Sequence, residues 1–446
     1  MPLPRLTFTE ALCFLLPLAI GLTFPLQVLY GSSIAGALSL ILLICLIGVS
    51  LLAKRTRKHC LSRNRNYAIW DWLVSLFMLL CAVNAALRLV TVDAMSLSGF
   101  LAEVYLIIQA SLIYFYFTRI STKREVDSFF VGMVVMGIVS GTFFTFESFN
   151  KIALGQVSGY TILAHEYSQN SAGESPVDNS QVNFRTDVNY RSLGLLERHS
   201  TSALWMIFGF FAYSFLTTRY CTKRSAAAFT FFALLVAQNF TAIVVFLLVA
   251  LTLQREVIRL RSLLTAGLYL LPLVLFLDFD MITAFSHAVS IIMQSQFSMI
   301  FTIQTEQSGT SYFSLVLSEF LRYGDELFRH PHQLVLGFGV GSSPSYNTSG
   351  DVGFIESMMR LGMPFWIFLT WNIITIFKRA ALINMAKYKS KLNDYDARLI
   401  LAATVILLST WLMDLHYSAW IHKSIWPILF FAMALARRAN SRLETK

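Results

Sequence analysis

AAAFTFFALLVAQNFTAIVVFLLVALTL, residues 226–253, is the stretch whose reading fixes how many times this chain crosses a bilayer. As a single helix it would be roughly 42 Å long, which needs an extreme tilt in a hydrocarbon core of about 30 Å. It would also leave Gln238 and Asn239 at mid-membrane, where polar side chains are costly. Two short helices turning at Gln238-Asn239-Phe240 avoid both problems. They also keep Arg219, Lys223 and Arg224 on the same side as Arg255, Arg259 and Arg261, as the positive-inside rule asks.

Working outward, the other apolar runs of spanning length are 10–30, 33–53, 68–88, 98–118, 129–148, 201–217, 263–282, 354–377, 399–415 and 421–436. Together they predict an all-α polytopic membrane protein, a single membrane domain over 1–446 with about 12 transmembrane helices. The clusters Lys54/Arg55/Arg57/Lys58/Arg63/Arg65, Arg119/Lys123/Arg124, Lys378/Arg379/Lys387/Lys389/Lys391 and Arg437/Arg438/Arg442 all become cytoplasmic, with both termini inside. The short outer turns near 31–33, 89–97 and 239–240 carry no Lys or Arg, in keeping with that orientation.

Composition agrees. Of 446 residues, 56% are hydrophobic and only 13% charged, against about 25% charged in soluble domains, so a water-soluble enzyme is excluded. The net charge of +10 sits in short clusters between apolar runs, where it orients the chain rather than binding nucleic acid. Cys13, Cys45 and Cys81 lie in apolar runs and Cys60 and Cys221 in basic loops, with no CxxC pair or disulfide framework. Arg5 before an apolar stretch resembles a signal peptide, but no A-x-A site follows, and the segment reads as an uncleaved first span.

Two segments are too long and polar to be turns, 149–200 and 283–353, and the alternation of spans puts both outside, as periplasmic loops. The first holds a Ser/Asn/Gln/Gly-rich piece, Ser168 to Gln181, then NYRSLGLLERHS. The second starts amphipathic around His287 to Ile303, reads as helix from Tyr312 to Phe328, and ends in HPHQLVLGFGVGSSPSYNTSGDVGF. Seven of the eight histidines lie in these loops or at the outer turn near His416 and His422, so titratable chemistry concentrates on that side. No internal repeat marks the paired halves of many transporters.

Arg191, Arg198 and His199 form the densest outer cationic group, with Arg185 upstream and Arg322 and Arg329 in the second loop. Guanidinium groups bind phosphate bidentately and stay charged, so such a group suits a lipid diphosphate; solvated loop charges or interfacial anchors are the plain alternative. Gly337, Gly339 and Gly341 of LGFGVGS let backbone N–H groups approach an anion, or let the loop fold tightly on the bundle. No GK[ST] ending makes this a P-loop. Asp351 precedes a helix start and reads as an N-cap on that basis alone. Glu356 and Arg360, four apart, read as a structural ion pair. Asn84, Glu103 and Glu147 should face the bundle interior, satisfying each other or lining a substrate path. Asp278-Phe279-Asp280 ends a span on the side without nucleotide sugars, and His330-Pro331-His332 lacks further ligands, so neither reads as a metal site.

Taken in order, Arg191-Ser-Leu-Gly194, a short helix pair, a Gly-x-Gly-x-Gly loop, and Asp351-Val-Gly-Phe-Ile with Gly362 eleven positions on resemble bacterial O-antigen polymerases. These group with the O-antigen ligases among membrane glycosyltransferases. Asp351 stands where ligases carry a histidine, which favours the polymerase branch, and Asn239-Phe240-Thr241 stands where many relatives have Ser-Arg-Gly. The resemblance covers roughly 185 to 365 plus the overall topology, on short motifs of moderate specificity. It implies a GT-C-like fold in the bacterial inner membrane and a transferase of undecaprenyl-diphosphate-linked oligosaccharide. Such an enzyme makes lipopolysaccharide-type polymer, needs no metal or cofactor, and works with membrane lipid and a chain-length regulator. In that reading Arg191, Arg198 and Arg322 hold the diphosphate, and Asp351 orients or deprotonates the acceptor hydroxyl, with His332 or His330 as competing bases. A ligase onto lipid A-core and a lipid-glycan transporter or flippase are the alternatives.

Overall fold

The computed structural model describes residues 7–30, 32–55, 68–91, 97–154, 158–164, 194–196, 199–217, 220–237, 239–253, 318, 320–325, 329, 331, 333–337, 353–383, 394–417 and 419–444. Every regular element among them is helical and none is a strand. The expected span 263–282, the polar piece 168–181 and the amphipathic stretch 287–303 lie outside these residues; within the helix expected over 312–328, residues 320–325 are helical. The chain divides into two compact units, Met1–Val135 with Tyr323–Lys446, and Met136–Arg322.

In chain order α1 (Phe8–Gly21), α2 (Thr23–Tyr30), α3 (Ser32–Arg55), α4 (Ala68–Thr91) and α5 (Leu97–Phe115) come first, α5 running into a π turn, Tyr116–Ile120. Next are α6 (Lys123–Leu154), α7 (His199–Leu216), α8 (Tyr220–Val236) and α9 (Phe240–Leu253). The last four are α10 (Gly353–Leu361), α11 (Met363–Ile383), α12 (Asp394–Tyr417) and α13 (Trp426–Glu444). Matching capping boxes start two of them. The Thr7 hydroxyl accepts from Glu10 N while Glu10 accepts from Thr7 N at 3.0 Å, and Thr122 and Glu125 repeat this ahead of α6.

The deciding stretch does break. α8 ends at Val236, and α9 begins at Phe240 with the buried Asn239 Oδ1 accepting from Ala242 N at 2.9 Å. Asn239 is thus the N-cap of the second helix, which is why the apolar run cannot continue as one. Two other expected spans are not single straight helices. The run 10–30 is a bent pair, α1 and α2 at 63°, because Pro25 offers no N–H to the Gly21 carbonyl and its ring crowds it. The run 354–377 is likewise α10 and α11 at 119°, meeting at Gly362 with φ +86°. Pro364 then falls in the first turn of α11, where a missing N–H is harmless. The last run also starts late: a 3₁₀ turn, Ala419–Ile421, precedes α13, which carries Arg437 and Arg438 within it.

By length and composition, two helices among the described residues are able to cross a membrane, Lys123–Ser148 and Tyr395–Leu415, or four if each bent pair is one crossing. Shorter apolar helices cover 37–52, 74–87, 200–216 and 241–250.

In the first unit α13 packs against both α12 and α5, and Phe431 brings its ring to 4.6 Å from Phe117 and 4.0 Å from Phe129. At one end of this core Asp71 on α4 binds Arg119 and, at 3.1 Å, Arg437 Nε, while Tyr114 donates to it and Arg438 bonds Ser121. The basic clusters beginning at Arg119 and Arg437 therefore gather at the same end of this unit, as expected from their charge. In the second unit α7, α8 and α9 contact one another. There α6 crosses α7 backbone to backbone: a Cβ on Gly137 would fall 2.8 Å from Gly209 Cα.

Candidate functional site

Three glycines among the described residues have positive φ: Gly194 at 72°, Gly337 at 70° and Gly362 at 86°. Each belongs to a motif singled out above, namely the Arg-x-x-Gly element, the head of the Gly-rich loop and the glycine eleven residues after Asp351. At each, a side chain would be strained by the backbone and would also collide. A Cβ on Gly337 would sit 2.5 Å from Gly362 N and against the Arg360 carbonyl; one on Gly362 would meet the Val335 carbonyl. The backbone of 335–337 thus lies directly on the corner between α10 and α11, forming a glycine lock. Asn84 on α4 adds a third hold, its Nδ2 donating to the Gly337 carbonyl at 3.1 Å.

Segment 338–352 leaves from Gly337, beside the last turn of α10, and rejoins the chain at Gly353, the first residue of α10. Only nine residues long, α10 is too short to persist without partners. Almost all of it is buried, and the expected Glu356–Arg360 pair forms at 3.0 Å with the Glu356 side chain 4% exposed. Ser357 Oγ donates to Asp414 Oδ1 on α12 at 2.6 Å, and the same oxygen accepts from Trp420 N at 2.9 Å.

In the second unit, Gly194 sits in a tight turn, where a Cβ would fall 2.6 Å from the Phe144 ring and 2.7 Å from Ser202 Oγ. Tyr160 donates to the Leu195 carbonyl at 2.6 Å, and Ser202 Oγ accepts from Leu196 N at 3.0 Å. Burial, reinforced by the Glu147 carboxylate, pushes the Tyr160 hydroxyl above the usual phenol range, so it remains a donor. Glu147 takes a 2.8 Å bond from Thr161 on one oxygen, while its Oε1 accepts nothing among the described residues. Asn84, Glu103 and Glu147 are all buried, as expected of polar residues in such helices.

Of the residues chosen from the sequence, Gly337 is buried in the lock, and Arg322 is half-buried on the helical turn 320–325. Asp351, His330, His332, Arg191, Arg198, Gly339 and Gly341 lie outside the described residues. Sequence reasoning missed Asp414, Ser357 and Asn84 as anchors of α10 and its loop. Asp414 lacked any neighbouring motif, but an acidic residue near the end of an apolar run was a usable signal. Neither a protein-family model nor a curated protein matches this chain.

Proposed function

We propose that this chain is a polymerase of lipid-linked oligosaccharide repeat units. It moves the growing glycan from undecaprenyl diphosphate onto a new lipid-linked repeat unit at the outer face of the bacterial inner membrane. One observation carries the reading: one glycine from each of three separate motifs falls at the three positive-φ positions among the described residues. Gly337 and Gly362, moreover, touch each other. Motif glycines that were incidental would have no reason to coincide with backbone that needs glycine. The proposal keeps about 12 spans, both termini in the cytoplasm and 149–200 and 283–353 outside, on the basic-cluster argument.

The chemistry follows from the donor. The acceptor hydroxyl attacks the anomeric carbon, a new C–O bond forms as the bond to the phosphate oxygen breaks, and undecaprenyl diphosphate leaves. Asp351 takes the hydroxyl proton, with His332 or His330 the competing bases, and Arg191, Arg198 and Arg322 stabilise the charge on the leaving diphosphate. The activated donor supplies the driving force, so the reaction asks for no nucleotide.

A strain lacking the gene tests this directly. One repeat unit on the lipopolysaccharide core, without longer chains, is the expected pattern; core alone would point to a ligase or flippase and end the polymerase reading. Arg191→Lys and Arg198→Lys, assayed at normal protein levels, should each impair polymer formation by about tenfold, because lysine keeps the charge but loses the bidentate fork. Wild-type polymer from both Arg→Ala variants would reduce these residues to loop charges.

A further inference from the structure

Asp414 is 1% exposed on α12, and both of its hydrogen bonds arrive at one oxygen. One comes from the Ser357 hydroxyl of α10 and the other from the backbone N–H of Trp420 in the 3₁₀ turn. The other oxygen, Oδ2, accepts nothing among the described residues, although the Trp366 indole of α11 acts on the same carboxylate. Glu356, the adjacent carboxylate, is already matched by Arg360. A buried carboxylate held only by neutral donors costs more than the leucine that would fill the same space, so core packing does not explain it. It does, however, tie α10 to α12 and to the turn ahead of α13.

We propose that Asp414 is a positioning residue for the transfer reaction. By holding Ser357 it fixes the rotation of α10, the helix that opens two residues after Asp351 in the chain. The glycine lock restrains only the C-terminal end of α10; Ser357, at its middle, supplies the second point that stops it turning about the first. The two donors that tie α10 and the 3₁₀ turn to α12 use one acceptor oxygen, so that tie needs an oxygen and not the charge. This inference rests on the transferase reading, but its structural half is measurable without any activity.

Full-length Asp414→Ala, Asp414→Asn, Ser357→Ala and the Ser357→Ala/Asp414→Ala double variant would be compared by amide hydrogen exchange over 353–361 and by transfer kinetics on lipid-linked repeat units. Asp414→Ala and Ser357→Ala should speed exchange in α10 by about tenfold and lower kcat by about tenfold, with the acceptor KM moving less than about threefold. Asp414→Asn should stay within about threefold of wild type in both, since its amide oxygen accepts the same two bonds. The double variant should be no worse than Asp414→Ala alone, because one shared interaction is lost. Wild-type exchange in either alanine variant overturns the anchor. Asp414→Asn as impaired as Asp414→Ala, with α10 exchange unchanged, overturns the positioning role in favour of a chemical one. If wild type transfers nothing, the transferase reading fails while the exchange data still decide the anchor. Should Asp414→Ala not accumulate, Ser357→Ala, which removes a single hydroxyl, decides it.

Discussion

Asp351→Asn should lower transfer by about a hundredfold or more while the protein inserts and folds as wild type, because a base needs the carboxylate itself. The competing role asks something different of the side chain. A helix N-cap needs only a short acceptor, so Asn or Ser in this place would preserve a cap to within about 1 kcal/mol. α10 begins at Gly353, so Val352 directly precedes it and Asp351 stands one position further out than Thr7 before α1 or Asn239 before α9. Polymer length and amount, measured together with protein level in the membrane, separate the two. Normal polymer from Asp351→Asn would remove it as the base and send the search to His332 and His330.

Gly337→Ala and Gly362→Ala should each destabilise the protein by about 2–4 kcal/mol and abolish polymer, the sum of a left-handed backbone penalty and a backbone collision. Neither collision is relieved by a rotamer change, because the atoms met are the backbone of Arg360, Gly362 and Val335. Gly48→Ala is the control: it lies inside α3 with open space around a Cβ, and it should be neutral or stabilising by about 0.5–1 kcal/mol. Thermal melting in detergent reads all three. A Gly362→Ala protein that melts like wild type would mean that the corner between α10 and α11 does not need its left-handed residue.

Local features of the sequence determined a good deal. An apolar run too long for one crossing, interrupted by Gln238 and Asn239, forced a helix break, and Asn239 turned out to be the cap that makes it. Glu356 and Arg360 paired because residues four apart on a helix share a face. The glycines at 194, 337 and 362 stood in recognisable motifs before their φ angles were known. The bends were not read, although the proline and the glycine that make them were in plain view. Hydropathy alone does not register them: Pro25 and Gly362 barely interrupt an apolar run while redirecting the backbone by 63° and 119°.

What the sequence by itself determined, then, is the helical, strongly apolar character of the described residues, the break at Asn239, and the short motifs that carry candidate chemistry. These depend on neighbours a few residues apart, and propensity, capping and charge patterning report them directly. Tertiary structure alone decided that Asn84 holds the head of the Gly-rich loop 253 positions away. It also decided that Asp414 holds Ser357 across 57 positions, and that Gly337 lies on Gly362. Each of these joins residues from separate elements, where the partner is chosen by how the helices and their connections pack, and no periodicity along one chain segment encodes which will meet which.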